Sequence, residues 1–356
     1  MSFSSPLLAK VHNLYKDLET KHHDLQYLFL EITRKCNLAC RHCGSDCTSE
    51  NAEKQLTTES WVKIIHTLAE EYGKQLSFVL TGGEPLMHPE LERITKALSE
   101  TPNQWGLVTN GLLLNKRKLY NLLDRNITSL TISLDGPAEQ HDFLRGSKGA
   151  FQKALAAIKL TGESGIGLWD AVTCVYPGSL EYLDETAEIL LERGCKNWRI
   201  FRIFPSGRAK ENRDLSLSFD QTTELIDWIK KARKKYAKKG LHLQYSCEGW
   251  VPFETDRQIR DFPFFCRSGI NFASVLVDGS ITGCSNNHPS FIQGNIVEDS
   301  FRFLWENRFT DFRSKDWLGN TVCGECEYLA YCRGGSMHLW EKGGKSPGFC
   351  YVREVR

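Results

Sequence analysis

The chain has 356 residues, 41% hydrophobic and 25% charged, enough to bury a sizeable core as one large domain plus a smaller one. Lysine and arginine (45) balance aspartate and glutamate (44) to a net charge of +1, which gives no ground for a nucleic-acid or membrane partner. No apolar run approaches the roughly 18 residues of a membrane span and the first residues carry no secretory pattern, so the 13 cysteines read as metal ligands of a cytoplasmic protein rather than disulfides.

Leu7, Leu8, Val11, Leu14, Tyr15 and Leu18 recur at helical spacing, and residues 1–25 are expected to form a helical cap, too short to be a separate peptide-binding domain. The apolar run Tyr27 to Ile32 reads as a strand, and the loop leaving it carries Cys36, Cys40 and Cys43 at the spacing C-x-x-x-C-x-x-C. Thiolates select zinc, copper(I) or iron–sulfur clusters. Three ligands, where a closed cubane needs four, leave one iron open. A structural zinc site is the plain alternative, although zinc usually takes four ligands in paired C-x-x-C spacing. Cys47 reads as a loop thiol, because a fourth ligand there would close the open position.

Helices and strands then alternate. A helix follows Thr57/Thr58, and Leu76 to Leu80 form a strand ending in Thr81-Gly82-Gly83-Glu84-Pro85. A helix over 90–99 leads to strand Trp105 to Thr109, and a helix over 115–123 leads to strand Ser129 to Leu134. Further helices over 150–161 and 180–193 flank strand Asp170 to Val175 and precede strand Trp198 to Phe204. Ser218-Phe219-Asp220-Gln221 is a capping box that opens the last helix. Six β–α units of about 30 residues each predict an α/β fold, a partial (β/α)6 TIM-like barrel over residues 26–239. Function in such folds gathers at the carboxyl ends of strands, where the cysteine loop lies.

These residues resemble the radical S-adenosylmethionine enzymes. The resemblance implies that a 4Fe–4S cluster on Cys36, Cys40 and Cys43 binds S-adenosyl-L-methionine at its open iron. It also implies that Gly82, Gly83 and Glu84 form a GGE motif meeting the methionyl ammonium. His42, Ser133 and Arg145 join the cofactor-binding set, Arg145 as a bidentate carboxylate clamp. Asp135 belongs to the same set or is a turn residue beside Gly136. Arg208, in Pro205-Ser206-Gly207-Arg208-Ala209, faces the substrate or is solvated, the latter favoured.

Past about Gly240 the α/β rhythm is expected to stop. A strand from Ala273 turns at Asp278-Gly279 as a hairpin, and cysteines return at 266, 284, 323, 326, 332 and 350. Taken alone, these thiols suit zinc as well as iron. Residues 240–356 resemble the SPASM extension, a small cysteine-rich domain carrying auxiliary clusters. That implies a complete auxiliary 4Fe–4S site on Cys323, Cys326, Cys332 and Cys350. A further site has Cys266 and Cys284, with Cys247 in support, but Ser336 stands where the family has a thiol. That second site is open, smaller, completed by Ser336 or His338, or absent. Cys174 and Cys195 read as buried small hydrophobes.

The function implied is reductive cleavage of S-adenosylmethionine to a 5′-deoxyadenosyl radical that abstracts hydrogen from a peptide, giving a cross-link, oxidation or epimerisation. Cys47 is a candidate hydrogen donor. A ribosomal precursor peptide is the expected substrate, and a flavodoxin or ferredoxin the expected electron donor. Oxidation or decarboxylation of a small molecule or tetrapyrrole is the alternative chemistry. A zinc-stabilised binding or scaffold protein is the alternative class.

Overall fold

The computed structural model describes residues 5–50, 54–247 and 249–352. Helix α1 (Ser5–His22) precedes the barrel. Strand β1 (Tyr27–Thr33) follows, its Leu28, Leu30 and Ile32 fully buried. Helix α2 (Thr58–Tyr72) starts where the Thr57 hydroxyl accepts the Ser60 N–H at 3.2 Å, and buries Trp61, Ile64, Ile65 and Leu68. Strand β2 (Ser77–Gly82), helix α3 (Leu91–Ser99), strand β3 (Trp105–Thr109), helix α4 (Lys116–Leu123) and strand β4 (Ser129–Ser133) repeat the unit. After β4 come helices α5 (Ala138–Arg145) and α6 (Ala150–Gly162), strand β5 (Leu168–Val175), helix α7 (Leu183–Glu192) and strand β6 (Asn197–Arg202). Helix α8 (Phe219–Ala237) opens with the expected capping box, Ser218 and Gln221 each accepting the other's backbone N–H.

Strands β1 to β6 lie in sequence order and pair in parallel, as right-handed βαβ units dictate. Core leucines and isoleucines meet Trp105 and Trp198, both buried between sheet and helices.

The sheet does not stop at residue 239. Strand β7 (His242–Tyr245) pairs in parallel with β6, before helix α9 (Phe253–Ile259). Strand β8 (Phe272–Val275) pairs in parallel with β1 at the opposite edge. Strands β9 (Ser280–Thr282) and β10 (Gly294–Asn295) continue antiparallel, and the β8–β9 hairpin turns at Asp278-Gly279 with Gly279 at φ +90°. Unpaired edge strands expose backbone N–H and C=O groups, and the carboxy-terminal third supplies a partner at both edges. Short helices α10 (Phe301–Asn307), α11 (Thr310–Arg313) and α12 (Leu329–Cys332) complete it.

Two expectations change. The helix expected over 180–193 is a 3-10 turn (Pro177–Tyr182) followed by α7, because Pro177 and Gly178 disfavour a regular first turn. The apolar side of α1 does not cap the fold: Leu7, Val11, Leu14 and Leu18 are 45–60% exposed, while Lys16 is buried. Polar side chains hold α1 down instead, with Asn13 donating to the Ala330 carbonyl at 3.0 Å and Lys16 to that of Tyr331 at 2.6 Å. Among the described residues no helix is long and apolar enough to cross a membrane.

Candidate functional site

The cysteine loop leaves β1 and is fixed at its root by the end of β2. Gly83 N–H donates to the Thr33 carbonyl (2.7 Å) and Glu84 N–H to that of Lys35 (2.9 Å). A Cβ at Gly82, φ +137°, would lie 2.2 Å from the Thr33 carbonyl oxygen, and one at Gly83 would lie 2.4 Å from that of Lys35. The paired glycines are therefore required by a backbone crossing.

Glu84 is fully buried. Its carboxylate accepts from the Thr109 hydroxyl (2.8 Å), Asn110 N–H (2.8 Å) and Leu86 N–H (3.1 Å). It lies outside the cavity lining and ties the mouth of β2 to that of β3. Burial pushes its carboxyl up, opposed by those same hydrogen bonds. Asn110, which sequence reasoning did not single out, reaches the loop itself: its Nδ2 donates to Asn37 Oδ1 at 2.8 Å and lies 3.8 Å from Cys36 Sγ.

From the far side the loop is clasped by the segment after β6. Arg208 Nε donates to the Cys40 carbonyl and Nη2 to the Cys47 carbonyl, both at 2.8 Å, while Nη1 meets Asp46 at 2.5 Å. The Arg208 N–H donates to the Cys43 carbonyl at 3.0 Å. A Cβ at Gly207, φ +52°, would lie 2.4 Å from that same oxygen. The expectation of a solvated Arg208 is corrected: all three guanidinium nitrogens bond to the loop, two to its backbone carbonyls and one to Asp46.

Cys36, Cys40 and Cys43 line a cavity of about 310 Å³ with His42, Cys47, Gly82, Gly83, Asn110, Ser133, Arg145, Cys174 and Arg208. Cys36 and Cys40 are buried, which pushes the Cys36 thiol up to about 11 and raises that of Cys40 against the pull of Arg145. Cys43 is lowered to about 6, chiefly by a hydrogen bond from Cys47, whose own thiol is raised. Two buried thiols held neutral beside a third that ionises readily suit a cationic metal centre, which would draw all three to thiolates. His42 Nδ1 is buried, lines the cavity and has no hydrogen-bond partner, an orphan that fits a bound cofactor. The residues present fit a three-thiolate cluster with a polar organic ligand beside it.

Asp135 stands behind the cavity wall rather than in its lining, its carboxylate within 4.8 Å of the ligand atoms of His42 and Cys174. Asp135 is fully buried and accepts from Arg145 Nε at 2.6 Å and from the Cys174 N–H at 2.9 Å. Burial works to raise its carboxyl, but Arg145, then His42 and His141, hold it below the usual range. Asp135 thus orients Arg145, whose guanidinium lines the cavity with Nη1 3.8 Å from Cys40 Sγ. Cys174 also lines the cavity, contrary to its reading as a core hydrophobe, because a strand's last turns face the barrel mouth. Cys195 is buried as expected.

In the carboxy-terminal third, Cys323, Cys326, Cys332 and Cys350 line one small cavity of about 20 Å³. Its wall is built from turns: Cys326 N–H donates to the Cys323 carbonyl (3.0 Å) and Cys332 N–H to that of Tyr328 (2.8 Å). Burial, then the neighbouring Cys350 and Cys323, pushes the Cys332 thiol up to about 12. Four converging thiols fit a closed cluster.

Cys266 and Cys284 are neighbours, the latter pushed up to about 11 by burial. Of the three groups that could complete them, Ser336 is held by hydrogen bonds of its own. Ser336 is fully buried, its hydroxyl accepting from the Gly249 N–H (2.8 Å) and donating to the Cys247 carbonyl (3.0 Å). His338 lies against the Phe204 ring with centroids 4.2 Å apart. Cys247 is exposed at φ +55°.

A family model described as the radical SAM superfamily matches residues 30–191, and one described as the SPASM iron–sulfur cluster-binding domain matches residues 266–327. An AdoMet-dependent heme synthase of Oleidesulfovibrio alaskensis is 26% identical over 339 residues, covering 90% of this chain and 85% of that one. A PqqA peptide cyclase of Rhizobium meliloti is 25% identical over 308 residues, covering 84% and 79%. In fold the chain is similar to SuiB of Streptococcus suis, solved with S-adenosylmethionine bound, at a TM-score of 0.70 and 17% identity over 98% of this chain and 82% of that one. The first match spans Cys36, Cys40 and Cys43, and the second spans Cys266, Cys284, Cys323 and Cys326 and ends before Cys332 and Cys350. On these grounds the chain belongs to the radical S-adenosylmethionine superfamily with a SPASM extension, as an enzyme whose cofactors are S-adenosylmethionine and 4Fe–4S clusters.

Proposed function

We propose that this enzyme modifies a peptide, abstracting hydrogen from one of its residues to leave a cross-link, an oxidation or an epimer. In this reading Cys36, Cys40 and Cys43 hold the cofactor-binding cluster, and Cys323, Cys326, Cys332 and Cys350 hold the single auxiliary cluster. Cys266, Cys284 and Cys247 remain thiols. Bound there, cluster and cofactor supply a 5′-deoxyadenosyl radical by one-electron cleavage of the sulfonium.

The chain's own residues position and shield. The Gly82–Gly83 backbone, His42 Nδ1, the Ser133 hydroxyl and the Arg145 guanidinium are the polar groups offered to the cofactor. Glu84 and Asp135 hold that set in place from behind the wall. Val108, Val172, Phe201, Ile203 and Phe204 exclude water from the reacting centre. Cys47 and Cys174 line the same cavity and are the candidate hydrogen donors. A flavodoxin or ferredoxin serves as electron donor, and the reducing cytoplasm suits so many free thiols. The functional units are residues 1–25, 26–239 and 240–356, although one sheet runs through the last two.

The observation that carries the peptide reading is the cavity's size. About 310 Å³ is at the lower end of sites that hold one drug-sized ligand. The cofactor takes that room, and an extended peptide needs to present just one side chain at the mouth. A carboxylated tetrapyrrole is the second reading, favoured by the heme synthase similarity over 90% of the chain. The test is anaerobic turnover with short peptides encoded beside the gene and, separately, with an iron porphyrin carrying propionates. Peptide-dependent 5′-deoxyadenosine and a mass change in the peptide support the proposal; stimulation by the porphyrin alone overturns it.

A further inference from the structure

Helix α1 brings a buried lysine to the carboxy-terminal thiols. Lys16 is 2% exposed, and its Nζ donates at 2.6 Å to the carbonyl of Tyr331, the residue before Cys332. Lys16, Lys315, Arg313 and Arg333 share a cavity of about 20 Å³ with Cys266 and Cys332. On its other side Cys332 faces Cys323, Cys326 and Cys350.

The carboxylates nearby are committed to arginines: Asp17 to Arg333 at 2.8 Å, Glu19 to Arg267 at 3.2 Å, and Asp256 to Arg260. Among the described residues Lys16 has no carboxylate within ion-pair distance, and its one acceptor is a carbonyl. Burying an ammonium on those terms is unfavourable unless an anion compensates it. A four-thiolate iron–sulfur cluster is an anion in both working oxidation states and gains negative charge on reduction, so a fixed cation beside it favours the reduced form.

We propose that Lys16, with Lys315 in the same cavity, is the counter-charge of the auxiliary cluster and sets its reduction potential. The N-terminal helix then tunes the auxiliary cluster through the charge it brings. This rests on Cys323, Cys326, Cys332 and Cys350 as the ligands.

The test is a redox titration of the full chain, iron-reconstituted in a Cys40→Ala background so that the auxiliary cluster alone contributes. The cluster is followed by electron paramagnetic resonance, with dithionite as the electron source. Lys16→Gln keeps a donor for the Tyr331 carbonyl and removes the charge, whereas Lys16→Arg keeps the charge. Lys16→Gln should lower the reduced-to-oxidised ratio at fixed potential at least tenfold, about 59 mV for one electron, and Lys16→Arg should stay within twofold of the parent. Lys315→Gln should shift the same way. An unmoved potential in Lys16→Gln, or in Lys315→Gln should the first variant not load iron, overturns the proposal and leaves Lys16 as a cap on α12 carbonyls. A parent protein that binds no auxiliary cluster instead overturns the ligand reading itself, which the iron count reports separately.

Discussion

Arg208→Met removes the side-chain clasp on the cysteine loop and leaves the backbone bond from residue 208 to Cys43 intact. Two hydrogen bonds of 2.8 Å are lost, each from a charged donor and so worth about 1.5–3 kcal/mol. The ion pair with Asp46, whose side chain is 62% exposed, adds at most about 1 kcal/mol. Allowing for partial relaxation, opening of residues 40–47 becomes easier by about 3 kcal/mol, roughly a hundredfold. Hydrogen exchange reads this directly. The amides of Cys36, Arg41 and Cys43, bonded to Thr48, Leu144 and Cys40, should exchange about a hundredfold faster, with those of β3 unchanged. Iron should also leave faster to a chelator. Unchanged exchange together with lost activity would refute the clasp and return Arg208 to the substrate.

Further outcomes follow from the same geometry. Reconstituted protein should hold about eight irons in two cubanes; Cys332→Ala should lose half of them and Cys266→Ala none, by iron and acid-labile sulfide analysis. Gly83→Ala, whose Cβ would meet the Lys35 carbonyl at 2.4 Å, should lose the cofactor-binding cluster and retain the auxiliary one. Asp135→Ala leaves the buried Arg145 guanidinium without its carboxylate and should destabilise the fold by about 3–5 kcal/mol in chemical denaturation. His141 is fully buried and lowered to about 4 by burial, while the unfolded imidazole titrates near 6.5. The unfolded chain therefore binds the extra proton, and stability should fall between pH 7.5 and 5.5 by about 1 kcal/mol from this group. His141→Asn should remove that part of the slope.

The barrel was legible because each unit states itself locally: apolar runs of strand length, capped helices, and turns marked by glycine and asparagine. The cysteine loop and the glycine pair were legible because their chemistry is carried by residue type and spacing. What the sequence hid depends on tertiary placement. Nothing in a one-dimensional pattern distinguishes Arg208 holding a loop from Arg208 in water. Nor does it say that Glu84 and Asp135 turn away from the cavity to brace it. Strands β7 and β8 were missed as parts of the barrel sheet because they are four residues long and pair with neighbours far apart in sequence. The apolar spacing of α1 misled because Leu7, Val11, Leu14 and Leu18 define a face without saying which way it points.

The most direct measurement is 5′-deoxyadenosine formation by anaerobic, iron-reconstituted protein with S-adenosylmethionine and a strong reductant. The account predicts product in the parent protein, none in Cys40→Ala, and reduced product in Arg208→Met. Zinc in place of iron at Cys36, Cys40 and Cys43, or product that survives in Cys40→Ala, would contradict it.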